Sequence, residues 1–185
     1  SRPEDIEAVN TYGADYAGFV FFEKSKRNVS YEKAEMLIKE LKKNPKIQSV
    51  AVCVSPSQDE VGRFNDMGFD FIQIHGTIPA DCQSDGGLAL WQAVNIVNIA
   101  GSTEENADEL FVQSSNIRGY VVDGAEYGSG KTFGWEAEEK TFVFPEKLKI
   151  QNRQFILAGG LNIENVQTGI HMLHPDVVDV SSGVE

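Results

Sequence analysis

One carboxylate stands at the end of a short apolar run. Gly119-Tyr120-Val121-Val122 has the composition of a buried strand, and Asp123 follows it just ahead of a glycine-rich stretch. An acid in that position can cap a turn, or it can move a proton for a molecule lying across the strand ends. Two further places carry small residues: Gly159-Gly160 after Phe155-Ile156-Leu157-Ala158, and Ser181-Ser182-Gly183 after Val177-Val178-Asp179-Val180. Backbone without side chains approaches a ligand closely, and the N–H groups of a helix opening near Asn162 would point back at the same spot, which suits an anion. Either pair taken singly is a tight turn; taken together they favour phosphate.

Other residue types are open to two readings. His75, at the end of Phe69 to Ile74, is a structural histidine or a ligand contact. Arg27, with Lys24 and Lys26, is a solvated basic loop or a clamp for a carboxylate, because guanidinium presents a two-pronged donor. Gly128-Ser129-Gly130-Lys131-Thr132 ends like a nucleotide-binding loop, but that pattern needs glycine at Ala125 and a helix directly after the strand, and Phe133-Gly134-Trp135 opens a helix poorly. A mobile lid containing Gly128 and Gly130 is the better reading, against a purely solvated loop. Cys53 lies inside an apolar strand and Cys82 in a weakly helical segment without a base beside it, so neither is assigned a catalytic role.

The elements that must position these groups alternate. Ser1-Arg2-Pro3-Glu4 reads as a capping box opening a helix that ends at Gly13. Tyr16 to Phe22 is a continuous apolar run, a strand buried on both faces. Ser30 caps a helix with Ala34, Leu37, Ile38 and Leu41 on one face, Val50 to Val54 is a strand, and Ser57 to Met67 is a helix closed by Gly68. A weak helix near Ile78 to Gln83 precedes a strand at Ala89 to Val94. Glu104 to Phe111 is a helix, and the helix after Gly160 runs from Asn162 or Ile163 to about Leu173. Strands alternating with helices argue for a parallel sheet with helices outside. Candidate residues follow nearly every strand, which suits a closed barrel that gathers its loops on one face better than an open sheet with a single crevice.

The whole-chain quantities exclude several classes. The 185 residues suit one domain, 1–185, with an ordinary globular composition of 41% hydrophobic and 24% charged residues. A formal charge of -12 argues against nucleic acid and anionic membranes as partners. Two cysteines in separate elements make neither a disulfide framework nor a metal spacing, and no apolar run reaches the roughly 18 residues of a membrane helix. A cytoplasmic protein is the expectation.

Several blocks, in order, resemble one family. They are Gly18-Phe19-Val20-Phe21-Phe22 with Lys24-Ser25-Lys26-Arg27, Gln73-Ile74-His75-Gly76, Val122-Asp123 with Gly128 to Phe133, Leu157-Ala158-Gly159-Gly160-Leu161-Asn162-Ile163-Glu164-Asn165-Val166, and Asp179-Val180-Ser181-Ser182-Gly183-Val184-Glu185. The chain is similar to phosphoribosylanthranilate isomerase. The resemblance implies a TIM (β/α)8 barrel of the ribulose-phosphate-binding type, acting without metal or organic cofactor on a small phosphorylated substrate in tryptophan biosynthesis. The reaction implied is an Amadori rearrangement, in which an acid opens the ribose ring to a Schiff base and a base removes the proton on C2′. Asp123 matches the general acid, Arg27 the residue holding the anthranilate carboxylate, and Gly159, Gly160, Ser181, Ser182 and Gly183 the phosphate loops. His75 and Asp179 fall in blocks that line the substrate site. A homodimer, or fusion to a neighbouring pathway enzyme, are the assemblies the resemblance allows.

The chain departs from the family pattern at both ends. Family members begin with a strand carrying Lys-x-Cys-Gly, whose cysteine is the general base, and finish with a helix after the final block; strand one and helix eight are absent from these residues. Neither Cys53 nor Cys82 matches the position of that base. The resemblance therefore implies a part of a longer isomerase, without turnover when taken by itself. The alternatives are another phosphate-binding barrel of tryptophan or histidine synthesis, such as indole-glycerol-phosphate synthase, or a non-catalytic remnant that binds phosphosugars.

Overall fold

The structure is a computed structural model and describes residues 2–83, 88–95, 114–123 and 152–184. The chain divides into two compact units, Ser1–Leu90 and Trp91–Glu185, each taken by itself below. The helix expected at Glu104 to Phe111 and the lid expected at Gly128 to Thr132 lie outside the described residues.

The first unit runs α1 (Pro3–Tyr12), β1 (Tyr16–Phe21), α2 (Tyr31–Leu41), β2 (Gln48–Val54), α3 (Gln58–Asp66), β3 (Phe71–His75) and a 3-10 turn, Ala80–Gln83, where a weak helix was expected. β1, β2 and β3 pair in parallel, with Gly18 opposite Val50 and Val50 opposite Phe71. The helices start where short polar side chains satisfy their first N–H groups. Ser30 Oγ accepts from Lys33 N, and Ser57 with Glu60 forms a reciprocal capping box. For α1 the cap differs from the expected Ser1 and Glu4. Arg2 is the N-cap: its N–H donates to Asp5 Oδ2 at 2.8 Å and its guanidinium to Asp5 Oδ1 at 2.9 Å. The charge-assisted fork favours this pair over the equally spaced one before it.

Alternation decides which face of the strands meets the helices. Phe21 packs against Tyr31, Phe64 and Phe69, with ring centroids 4.7 to 5.7 Å apart, and Phe19 meets Phe69 edge-on. In register with Phe19 and Phe21, Ala51, Cys53, Ile72 and Ile74 are all buried. The opposite face carries Gly18, Val20, Val52, Gln73 and His75. β1 is therefore buried on one face, not on two, since Gly18 is exposed and brings no side chain to its own face.

In the second unit β5 (Ile117–Asp123), β6 (Gln154–Leu157) and β7 (Val177–Val178) are again parallel, with Val122 opposite Leu157 and Leu157 opposite Val178. β4 (Ala89–Asn95) spans the boundary between the units in sequence and is buried from Leu90 onward. β7 is shorter than the expected Val177 to Val180. α4 (Val166–Leu173) follows β6 after a turn. Gly119 has no room for a side chain: a Cβ there would lie 2.7 Å from Ile156 Cδ1 and 2.8 Å from the Gln154 carbonyl. On that face Gln154 Oε1 accepts from Trp91 Nε1 at 3.2 Å.

One carboxylate joins three elements of the first unit. Asp70 Oδ2 accepts from the Ser49 N–H at 2.7 Å, from Ser49 Oγ at 2.9 Å and from the ammonium of Lys42, the C-cap of α2. Burial works to raise the Asp70 carboxyl, and Lys42 together with the two Ser49 donors outweighs it, holding the group below its ordinary value. Ser49 is fully buried, so removing Asp70 strands its N–H and hydroxyl. Asp70→Ala is expected to lower stability by about 1–3 kcal/mol in urea denaturation; an unchanged midpoint would contradict the tie.

Candidate active site

In the first unit the loop after β1 is a folded turn, not a free basic segment. Val29 N donates to Val20 O at 2.9 Å, Phe22 N to Asn28 Oδ1 at 2.8 Å, and Arg27 N to Ser25 Oγ at 3.2 Å. Arg27 is half-buried, whereas Lys24 and Lys26 are exposed. His75 closes β3. The segment beyond it is pinned to the end of β2: Ser55 N donates to His75 O at 2.8 Å and Thr77 N to Ser55 Oγ at 3.0 Å. Gly76, at φ 81°, lies so close to Ser55 that an added Cβ would come within 2.5 Å of its Oγ. Gln73 Nε2 lies 3.0 Å from His75 Nε2. Burial pushes the imidazole down to about 4, so it is neutral at neutral pH.

The second unit brings most of the expected residues to one end of the strands. The register continues past the strands: Ala158 N donates to Val122 O at 2.9 Å and Asp179 N to Leu157 O at 2.8 Å. Asp123, Ala158 and Asp179 thus form one row, each a single residue beyond a paired position. Asp123 is 8% exposed. Gly159 and Gly160 follow at φ 85° and 65°, values only glycine takes readily. Gly183 faces the same loop: a Cβ there would lie 2.2 Å from the Leu161 carbonyl oxygen and 2.8 Å from Asn162 Cα. The loops after β6 and β7 are therefore seated backbone against backbone. Ser181 and Ser182 are exposed at its rim.

The expected helix start at Asn162 is displaced by three residues. Asn162 Oδ1 accepts from the N–H groups of Glu164 and Asn165, at 2.9 and 3.2 Å. Asn165 Oδ1 accepts from Asn162 N at 2.9 Å, while its amide donates to Gly160 O at 3.0 Å. Two asparagines thus build a side-chain-bonded turn, and α4 begins after it. Their backbone N–H groups are spent inside the turn, so the anion reading passes from a helix end to the glycine loops. Asn165, Ser55 and Gln73 were given no role from sequence, and Asn162 only that of opening a helix; for Gln73 the signal was its i, i+2 spacing from His75, which puts both on one strand face.

The match to a family model covers residues 1–185, and the family is N-(5'-phosphoribosyl)anthranilate (PRA) isomerase. The chain belongs to this family. A Clostridium kluyveri N-(5'-phosphoribosyl)anthranilate isomerase is 38% identical over 186 residues, covering 100% of this chain and 84% of that relative. Monomers generated from the dimeric Thermotoga maritima isomerase match with a TM-score of 0.75 at 31% identity, over 100% of this chain and 84% of theirs. A phosphoribosyl anthranilate isomerase solved in complex with reduced 1-(o-carboxyphenylamino)-1-deoxyribulose 5-phosphate matches with a TM-score of 0.73 at 30% identity, covering 100% and 84%. Membership makes the chain an isomerase of tryptophan biosynthesis with the α/β barrel fold of these relatives, as the sequence blocks implied.

Two measurements test the geometry. Because its folded value lies below the ordinary 6.5, His75 binds a proton later in the folded protein than in the unfolded chain. The wild type is therefore expected to lose stability relative to His75→Gln as pH falls from about 6.5 to about 4, with no further divergence below; parallel stability curves would refute this. Gly183→Ala is expected to cost about 1–3 kcal/mol, since the Leu161 to Asn162 backbone must move. Unchanged thermal melting would show that the two loops are not seated together.

Proposed function

We propose that Asp123 is the general acid in the isomerisation of phosphoribosylanthranilate, acting with a general base that these residues do not supply. The observation that carries the reading is the row of Asp123, Ala158 and Asp179 beside the interlocked glycine loops: a buried acid lies next to a backbone-lined seat for an anion. Asp123 protonates the ribose ring oxygen, the C1′–O bond breaks, and the anilinic nitrogen supplies its lone pair to form the Schiff base. Loss of the C2′ proton then gives an enamine that tautomerises to the ketose. The backbone of Gly159, Gly160 and Ser181 to Gly183 holds the phosphate, with the Ser181 and Ser182 hydroxyls at the rim. On the family resemblance, Arg27 pairs with the anthranilate carboxylate, and His75 and Asp179 are substrate-binding residues.

The base at C2′ is neither cysteine described. Burial raises the Cys53 thiol far above its ordinary value, and its Sγ donates to Gln73 O at 3.6 Å. Cys82 is buried too, with its Sγ 3.5 Å from Gln58 Oε1. A thiol must ionise to take a proton, and desolvation opposes that. The reading therefore assigns the base to a cysteine on a strand preceding α1, as the family resemblance implies.

One domain across residues 1–185 is part of this reading, supported by a single family match over that span. A homodimer is its assembly, on the likeness to an isomerase described as dimeric. The cytoplasm is its location on this reading, in keeping with membership in a family of tryptophan biosynthesis; among the described residues no helix is long and apolar enough to cross a membrane.

Steady-state turnover of phosphoribosylanthranilate, by protein that includes the strand carrying the base, tests the assignments. Asp123→Asn is expected to lower kcat by roughly 10²–10⁴-fold with KM little changed. Arg27→Lys, which keeps the charge but loses the fork, is expected to act mainly on KM, raising it about tenfold. An Asp123→Asn enzyme with wild-type kcat would remove the acid from the mechanism.

A further inference from the structure

Asn165 stands in the turn between β6 and α4, and its side-chain amide meets the backbone on both sides of Leu161. Its Nδ2 donates to the Gly160 carbonyl at 3.0 Å, and its Oδ1 accepts from the Asn162 N–H at 2.9 Å. The first contact holds the peptide joining Gly160 to Leu161, the second the peptide joining Leu161 to Asn162. In a planar trans peptide the C=O and N–H point in opposite directions. The Leu161 N–H and the Leu161 carbonyl are therefore both turned away from Asn165.

The loop after β7 lies on the side to which they turn. A Cβ at Gly183 would come within 2.2 Å of the Leu161 carbonyl oxygen, so that oxygen stands against Gly183, and the Leu161 N–H shares its side of the chain. Leu161 is 2% exposed, and a buried N–H calls for a partner. Among the described residues the N–H groups of Gly159, Gly160 and Leu161 make no hydrogen bond. Those of Asn162, Glu164 and Asn165, immediately behind them, are all bonded inside the turn. Three successive donors of this loop are thus left to a ligand, and the next ones are not.

We propose that Asn165 is a positioning residue for the substrate's phosphate: by bracketing Leu161, its amide turns the Leu161 N–H toward a seat formed by Gly159, Gly160 and the loop of Ser181 to Gly183. The proposal rests on the reading that these glycine loops hold the phosphate. Asn165 acts through the backbone and not by touching the anion. The role needs a group that donates on one side and accepts on the other, which a carboxamide does and a carboxylate does not.

The test uses protein that includes the strand carrying the base, titrated with inorganic phosphate. In 15N-labelled wild type, with the Leu161 amide signal assigned by its loss in Leu161→Met, the Leu161 N–H is expected to move downfield along with those of Gly159 and Gly160. Asn165→Leu keeps the size of the side chain and removes both hydrogen bonds. It is expected to weaken inorganic phosphate about tenfold and to raise KM for phosphoribosylanthranilate by about the same factor, with kcat within about threefold. A merely structural Asn165 would lower the melting temperature and leave the phosphate affinity of the folded protein unchanged, which overturns the proposal while leaving the phosphate on the glycine loops. A Leu161 signal that stays in place while Gly159 and Gly160 move overturns it from the wild type alone, whether or not the variant folds. Phosphate that moves none of the three signals removes the seat, and with it the reading on which the proposal rests.

Discussion

An aspartate two residues beyond a left-handed helix terminator does the same work twice. After α3 the order is Gly68 (φ 80°), Phe69, Asp70; after α4 it is His174 (φ 48°), Pro175, Asp176. Each aspartate exchanges hydrogen bonds with the first part of the preceding strand. Asp70 N donates to Ser49 O at 3.1 Å and its carboxylate accepts from Ser49 N; Asp176 N donates to Phe155 O at 2.9 Å and its carboxylate accepts from Phe155 N at 2.8 Å. The next residue then begins the ladder, Phe71 opposite Val50 and Val177 opposite Ile156. One group thus ends a helix, starts a strand and sets its register.

Register propagates along a parallel pair, so what is settled at the amino ends decides what stands at the carboxyl ends. In the first unit it brings His75 opposite Val54 and hence the Ser55 turn against His75 and Thr77. In the second it aligns Asp123, Ala158 and Asp179 and seats Gly183 on Leu161. Stability devices and chemical groups occupy opposite ends of the same strands, which leaves the second set free to vary without unfolding the first.

The strands were legible from short apolar runs, and the second and third helices from Ser30 and Ser57, because both signals are local. The residues that failed to announce themselves are those whose role depends on a competitor or on a distant neighbour. Ser1 with Glu4 and Arg2 with Asp5 have the same spacing; the guanidinium decides, and a spacing rule does not weigh it. Asn162 looked like a helix start because periodicity sees the apolar residues that follow and not the side-chain amides that bond the turn first. Gly183 was read as backbone open to a ligand, and its packing against a carbonyl 22 positions earlier, where a Cβ would come within 2.2 Å, was not legible because it depends on a distant neighbour. Asp123 was legible in position, as the residue that follows the apolar run Gly119 to Val122 at the end of β5.

The asparagine turn changes how an anion would be held. A helix amino terminus presents N–H groups left unsatisfied until a ligand arrives, and part of the binding free energy then goes to ordering them. Here the N–H groups of Asn162, Glu164 and Asn165 are bonded within the turn, and Asn165 also grips the Gly160 carbonyl. The loop after β6 is therefore shaped before anything binds, and the close approach of Gly183 holds the loop after β7 against it. On the proposed reading the phosphate meets backbone already in place, so its binding free energy is available to hold the ribose against Asp123 through ring opening.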